Sequence, residues 1–440
     1  MRDYFLTIAD TLGGMLRGTE RFTCAYSGES TDFVRFNRGR VRQAGHVVQR
    51  CISVDLIAGR RHATGTLTLS DNVDVDRTRL TDLVGDLRRI RAQVEDDPYL
   101  LYATEVNSGE RSDLNLLPTG AEMMERLLMQ ADGHDLVGIL ASGVIHSGFA
   151  NSFGQRNWHS RHSFNVDWSL YLHTDKAVKG RYAGYEWDDS ALAKHILNSS
   201  GQLDALGRST KTLAPGRYRS FLAPPAVDAI MGALAWGGFS MRDHRNGTSP
   251  LMRMVEQDVR MHPAVTITEN TAEGVAPDFD PAGFIRPPSV TLIDGGSFRD
   301  CLVSARSAAE YQVSGTAATE DEAPLSIDVA PGGLPDKSVL TSLDCGLYIG
   351  NLWYLNYSDR NAARMTGMTR FATFWVEDGR IVAPVQVMRF DDSLYHLFGD
   401  RLVDLTVERQ LFLDPETYGA RSYRSARLPG ILVDGMNLTL

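Results

Sequence analysis

The chain has 440 residues, 43% of them apolar and 23% charged, and a formal net charge of −10. That length suits two or three domains, and that apolar content suits a sizeable core. The acidic balance argues against a general nucleic-acid binder, which is basic over its domain, and no apolar run approaches the about eighteen residues of a membrane-spanning helix.

At the N-terminus Phe5, Ile8, Leu12, Met15 and Leu16 have helical spacing, and Asp3, Asp10 and Gly13 break up any signal-peptide core. Three β-branched runs follow, DFVRFNRGRV, HVVQRCISVDLI and HATGTLTLS, punctuated by Gly39, Gly45 and the AGRR turn at 58–61. They predict an antiparallel meander. Arg35 and the cluster Arg38, Arg40 and Arg42 sit in or beside its first turn. They read as a solvated sheet face whose arginines pair with local acids; a specific partner or peptide contact is the sharper alternative. Residues 76–94 read as a helix with Leu80, Leu83, Val84, Leu87 and Val94 on one face, ended by Pro98. Thr119 and Glu122 have capping-box spacing and start a second helix. Residues 135–188 are strand-rich, with turns at Gly143, Gly148 and Gly154, and 189–206 form a short helix.

The stretch KTLAPGRYRSFLAPP, 211–225, is a Pro/Gly/Arg segment and the best domain boundary. One helix, AVDAIMGALAWGGF, comes after it, then a loop-rich stretch to about residue 340. Strands return in CGLYIGNLWYLNYS, RFATFWVEDGRIVAPV and PGILVDGMNLTL, with a hairpin turn at Asp378-Gly379. Strands grouped together, with helices segregated from them, predict an α+β fold rich in antiparallel sheet. The expected domains are 1–210, α+β, and 211–440, mostly β.

Chemistry is hard to find. Cys24, Cys51, Cys301 and Cys345 form no C-x-x-C pair, which suits reduced thiols in a cytoplasm, and they read as buried small hydrophobes. No histidine lies in an H-E-x-x-H motif. His159 and His162, three apart in a strand-rich segment, point to opposite faces. His244 stands beside Asp243 in a turn-like segment without a partner. There is no G-x-S-x-G and no phosphate-binding glycine loop; APGGLPD (330–336) reads as a loop and IDGGS (293–297) as a turn. Taken alone, the residues describe an α+β protein without an evident active site.

Several blocks in order nevertheless resemble the TldD/PmbA family, and its TldE (PmbA-like) branch in particular. They are TDFVRFNRGRVRQAGHVVQR, DDPYL, NSFGQRNWHSRHSFNVDWSLY, AVKGRYAGYEWD, LAPGRYRSFLAPPAV and GLYIGNLWYLNYSDRNAARMTGMTRFATFWVEDGRIVAPV, the last holding the most family-specific segment, FWVEDGRIVAPV. The resemblance covers nearly the whole chain. It implies a cytoplasmic two-subunit metallopeptidase whose TldD-like subunit carries zinc on an H-E-x-x-x-H helix and whose TldE-like subunit is its partner. Together they trim unfolded peptides, such as leader peptides and antitoxins. The zinc helix follows a Pro-containing turn, here LAPP. In that register Gly232 and Ala233 stand where a zinc histidine and the catalytic glutamate would be, and Gly237 where the second histidine would be. No His or Glu occurs between residues 196 and 243, so a slip of the register restores nothing. The family's remaining ligand is a cysteine near the C-terminus; Cys345 lies in a different block and does not inherit that role.

The expectation is a chain without catalytic or metal-binding residues of its own, with zinc in the partner subunit, no nucleic acid and no membrane. It would bind a TldD-like partner and an unfolded peptide, with a homodimer when alone as a further reading. Asn351, Trp353, Tyr354, Arg364 and Arg370 are its candidates for the wall of a peptide cavity. The alternatives are a self-sufficient peptidase with an unrecognised site, and a non-catalytic binding or scaffold protein.

Overall fold

The computed structural model describes residues 1–113, 115–173 and 176–440. The first half contains α1 (Arg2–Gly14), β1 (Arg21–Asn37), β2 (Arg40–Ala58), β3 (Arg61–Thr68), α2 (Val73–Arg91), β4 (Gly109–Asp113), α3 (Gly120–Gln130), β5 (Asp135–Asn151), β6 (Arg156–His173), β7 (Lys176–Gly184) and α4 (Asp189–Leu206). The second half contains β8 (Gly216–Leu222), α5 (Pro224–Ala235), α6 (Met241–Arg245), α7 (Met252–Glu256), β9 (Ile267–Glu269), β10 (Val290–Asp294), β11 (Ser297–Phe298), α8 (Ala305–Tyr311) and β12 (Ser326–Val329). It continues with α9 (Val339–Leu343), β13 (Gly346–Asp359), β14 (Arg364–Glu377), β15 (Arg380–Pro384), β16 (Arg389–Ser393), β17 (Leu402–Leu413) and β18 (Ser425–Leu438). The fold is α+β and rich in antiparallel sheet. No helix among the described residues is long and apolar enough to cross a membrane.

The first sheet has the order β3-β2-β1-β5-β6-β4, with β7 on β6. The period of two in its strands puts Phe22, Cys24 and Tyr26 on one face with Ile52, Val54 and Leu56. The stripes Phe5-Ile8-Leu12 of α1 and Leu80-Val84-Leu87 of α2 cover them. Further along the same face, Met123 and Leu127 of α3 and Leu192, Ile196 and Leu203 of α4 pack on Val34, Phe36, Leu140, Val166 and Trp168. The other face is polar. Asn157, His159, Arg161, Ser163 and Asn165 alternate along β6 and are all buried. Their cover is the second half of the chain: Gln155 Nε2 donates to the Gly283 carbonyl at 2.7 Å, and the Arg421 guanidinium donates to Ser163 Oγ and to the Gly143 carbonyl at 2.8 and 3.2 Å.

The second sheet runs β11-β10-β9-β12-β18-β16-β14-β13-β8, with β15 on β14 and β17 on β18. β8 also pairs with β18, so β8, β13, β14, β16 and β18 close a ring. The inner face of α5 shares its core with Leu347 and Ile349 of β13 and Ile431 and Val433 of β18.

The meander, the helix at Thr119 and the Asp378-Gly379 turn stand as the sequence predicts; Asp378 and Gly379 both have positive φ, 52° and 69°, as a tight two-residue hairpin requires. Other expectations are corrected. α2 spans 73–91, not 76–94, because the Asn72 side chain caps it by accepting from the Asp74 and Val75 amides. It stops well before Pro98, and Val94 lies outside it. α4 is not short: it has 18 residues. Gly143 and Gly148 are not turns but lie inside β5, where a Cβ on Gly143 would run into the Ser30 carbonyl of β1. Residues 174 and 175 of the strand-rich stretch lie outside the described residues. The expected boundary segment 211–225 holds the first strand of the second sheet, β8, where Ser220, Phe221 and Leu222 do the pairing and Gly and Pro lie at the ends. The stretch before residue 340 is built of short elements, four helices of five to seven residues and four strands of two to five, too brief to leave a period. Among the cysteines, only Cys24 and Cys301 are buried; Cys51 is half-exposed and Cys345 is on the surface.

Candidate functional site

α5 starts on Pro224 and Pro225, whose missing N–H groups fall in the first turn, where no helical partner exists. Ala226, Val227, Ile230, Met231 and Leu234 turn into the core. That leaves Asp228, Ala229, Gly232, Ala233 and the exposed Trp236 on the other side. The far end of the helix is tied to β13: Arg360 donates to the carbonyls of Trp236 and Thr248 at 2.7 and 2.6 Å, and the Tyr357 hydroxyl donates to the Ala233 carbonyl at 3.1 Å. The Arg360 guanidinium also lies 5.5 and 5.1 Å from the ring centres of Trp236 and Tyr357.

The family zinc does not fit this helix. Gly232 and Ala233 offer no donor, and a Cβ on Gly232 would meet open space. The position of a Cβ on Gly237, which has φ +81°, is already filled by the Arg360 guanidinium at 2.5 Å and the Asp243 carboxylate at 2.8 Å. His244 is not turn-borne but sits in α6, and it is not without a partner. Its Nε2 donates to the Gly238 carbonyl at 3.0 Å, with Ser249 Oγ at 3.1 Å, and burial holds its pKa below the usual imidazole value. Among the described residues no three His, Cys, Asp or Glu side chains converge as a ligand set.

What the α5 surface has instead is a charge row. Asp228 accepts from Arg181 Nη1 at 2.6 Å, and Asp167 accepts from Arg181 Nε at 2.9 Å. Burial pushes both carboxyls up, while their attraction keeps the guanidinium charged. Lys179, two residues along β7, is pushed down by burial and by Arg181. Strand register carries the row across the first sheet: Arg181 pairs with Asp167, Asp167 with Ile139, Ile139 with Arg35 and Arg35 with Gln43. At that end lies a cleft of about 250 Å³ lined by Glu29, Phe33, Arg35, Gln43, Val47, Gln49 and Ile139. The arginines at this end depart from the sequence expectation, since among the described residues none of Arg35, Arg38, Arg40 and Arg42 pairs with an acid.

Of the residues singled out in the sequence, the structure brings three together. Trp353 and Tyr354 are 45% and 77% exposed with ring centres 5.5 Å apart, and the Arg370 guanidinium stacks 4.2 Å from the Trp353 ring centre. Asn351 is buried and pairs with Arg370 in the β13–β14 ladder. Arg364 stands apart, bonded to Asp391 at the other end of β14. Leu352, Tyr357 and Met365 belong to the core that α5 shares, so strand alternation puts Trp353 and Arg370 on the opposite side of the sheet. Tyr354 and Phe371 have φ of +58° and +60° at bulges of this ladder, a strained conformation for aromatic residues. Sequence reading missed the row Asp167-Arg181-Asp228. Each member comes from a different element, and no local spacing links β6, β7 and α5.

No curated protein matches the chain in sequence. Solved structures match its fold. TldE from Thermococcus kodakarensis is 11% identical, with a TM-score of 0.77, over 99% of this chain and 100% of that one. A Thermotoga maritima protein provisionally described as a modulator of a DNA gyrase is 13% identical, with a TM-score of 0.75, over 99% and 98%. A Bacteroides thetaiotaomicron protein with a similar description is 13% identical, with a TM-score of 0.74, over 99% and 98%. The family described as the PmbA/TldA metallopeptidase C-terminal domain matches residues 215–440, which contain α5 and the whole second sheet. That match spans more than half of the chain, which therefore belongs to the PmbA/TldA metallopeptidase family.

Proposed function

We propose that this chain is a TldE-like, zinc-free subunit of a heteromeric metallopeptidase that cleaves unfolded peptides. The observation that supports the reading is the α5 surface: in the register that the resemblance implies, Gly232, Ala233 and Gly237 stand where the zinc helix would need donors, and Arg181 pairs with the neighbouring Asp228. In this reading the zinc and its activated water belong to a TldD-like partner. This chain completes the cavity around them. An extended peptide is held through its main chain, which gives tolerance of sequence, while a closed cavity excludes folded proteins. Asn351, Trp353, Tyr354, Arg364 and Arg370 are the proposed peptide-contacting residues of this chain. The exposed Trp353-Tyr354-Arg370 stack supplies flat apolar area and a cation. The cytoplasm suits the free thiols.

A peptidase assay with this chain alone, the partner alone and both together tests the proposal. Cleavage is expected only from the mixture. Cleavage by this chain alone, or full cleavage by the partner without it, rules the proposal out. Metal analysis by mass spectrometry after gel filtration is expected to find no stoichiometric zinc in the isolated chain; about one zinc per chain, resistant to brief chelation, would contradict the assignment.

A further inference from the structure

We propose that the open edge of β2, residues 40–49, captures an extended acidic segment of a polypeptide. β3 pairs with β2 only from Cys51 to Ala58, and the Leu69 amide takes the Arg50 carbonyl. Among the described residues, 40–49 therefore have β1 on one side and no strand on the other, over roughly 33 Å, with a bulge at Arg42 that leaves 43–49 in regular register. An edge of this length is a template for another strand, and proteins commonly block such edges with proline, charged side chains, a covering loop or a bulge; here the charges are all arginine, so they repel a basic strand and leave an acidic one free to pair. Here there is no proline, and Gly45 sits mid-edge with nothing within 4 Å of where a Cβ would be, so a second backbone can approach.

Charge selects the occupant. Among the described residues Arg35, Arg38, Arg40 and Arg42 have no acidic partner, because the nearby carboxylates are already engaged. Asp32 accepts from His46 Nδ1 at 2.7 Å; Glu29 is buried and accepts from Thr31 Oγ1 at 2.9 Å and from Gln49 Nε2 at 3.1 Å. Four uncompensated guanidinium groups on a chain of net charge −10 favour carboxylates spaced along an added strand. Beside the edge, Phe33, Val47 and Ile139 give the cleft apolar walls, Arg35 and Gln43 also line it, and the loop between β17 and β18 closes one side through Thr417 and through the Gly419 carbonyl, which accepts from Gln49 Nε2 at 2.6 Å, so the cleft accepts an aliphatic side chain from that strand. A second copy of this chain fits poorly, since edge-to-edge pairing would bring the same arginines together. A nucleic acid would use the charges but not the main-chain groups. The site rests on the peptide-handling role proposed above, but it is measured by equilibrium binding to the isolated chain. A failed peptidase assay and a failed edge are therefore separate results.

The experiment is fluorescence anisotropy with a labelled peptide of about ten residues alternating Glu and Val, titrated with the full chain. Saturable, salt-sensitive binding is expected, weakened about tenfold or more in R40A/R42A and abolished when alternate peptide nitrogens are methylated. Circular dichroism checks that the variant is folded; if it is not, the methylated peptide on the unaltered chain decides. Equal binding of parent and methylated peptides would reduce the site to a charge effect and overturn it. So would an oligonucleotide of equal charge that competes as well as the peptide, or a change of sedimentation mass in the variant that identifies the edge as a self-association surface.

Discussion

His159 lies fully buried where the two halves of the chain meet, and its Nε2 donates to the Val275 carbonyl at 3.2 Å. Burial brings its pKa down to about 4, from about 6.5 in an unfolded chain. A depressed folded value means that its contribution to stability is complete above about pH 6.5 and is lost as pH falls toward 4. The loss is about 3 kcal/mol for this one group. Urea denaturation between pH 7 and 4 is expected to show a shallower decline in His159→Gln; an unchanged slope would mean that the imidazole titrates in the fold as it does in the unfolded chain. The thiols separate in the same way. Burial pushes Cys24 and Cys301 up to about 12, whereas Cys345 is exposed. A thiol reagent at pH 8 should modify Cys345 first, Cys51 more slowly, and Cys24 and Cys301 only on unfolding. Gly143 is a third case at this scale: its φ of +157° is one that L residues rarely adopt, and a Cβ would run into the Ser30 carbonyl, so Gly143→Ala should cost about 3 kcal/mol or more in a denaturant titration because the backbone must shift and β1 and β5 must move apart.

At the scale of elements, α5 differs from the other long helices. Its core face is ordinary, while its other face is small and donor-free at the one place where the family's chemistry would stand. Gly232 is exposed, helical and has nothing within 4 Å of a Cβ. Gly232→Ala should raise stability by about 0.5–1 kcal/mol, read as a higher melting temperature. A loss of activity in the two-subunit mixture despite that gain would show that the open space is used. The β13–β14 ladder carries the opposite bias. Its bulges hold Tyr354 and Phe371 in a left-handed backbone, which costs about 1–3 kcal/mol each. Tyr354→Gly should therefore stabilise the isolated chain. If the exposed stack contacts peptide, the same change should raise the KM of the mixture.

Over the whole molecule, the first sheet meets the second half of the chain through a row of buried polar side chains, with an apolar cluster of Ile145, Val275 and Leu413 beside it. Arg421 is buried there, and desolvation brings it down to about 10. It is held by Ser163 Oγ and the Gly143 carbonyl. Arg421→Ala should cost about 1–3 kcal/mol, because both acceptors are left buried and unpaired. Limited proteolysis should then cut the 414–424 loop faster than in the unaltered chain.

The sequence by itself determined the class of fold, the meander at 32–70, the capping box at Thr119, the hairpin at Asp378-Gly379 and the family. Each is written in local spacing or in blocks of adjacent residues, where periodicity and turn chemistry act over a few positions. The missing donors of 226–239 are likewise a fact of composition. Only the tertiary structure decided that β8 is an internal strand, that Gly143 is a close approach and not a turn, and that the arginines of the first hairpin pair with no acid among the described residues. It alone set Trp353 and Arg370 on the side of the sheet away from α5. It also joined β6, β7 and α5 in one charge row. The reason is physical: pairing partners, side-chain burial and charge compensation depend on residues tens to hundreds of positions apart, and a local pattern carries no record of which distant strand or carboxylate will lie beside it.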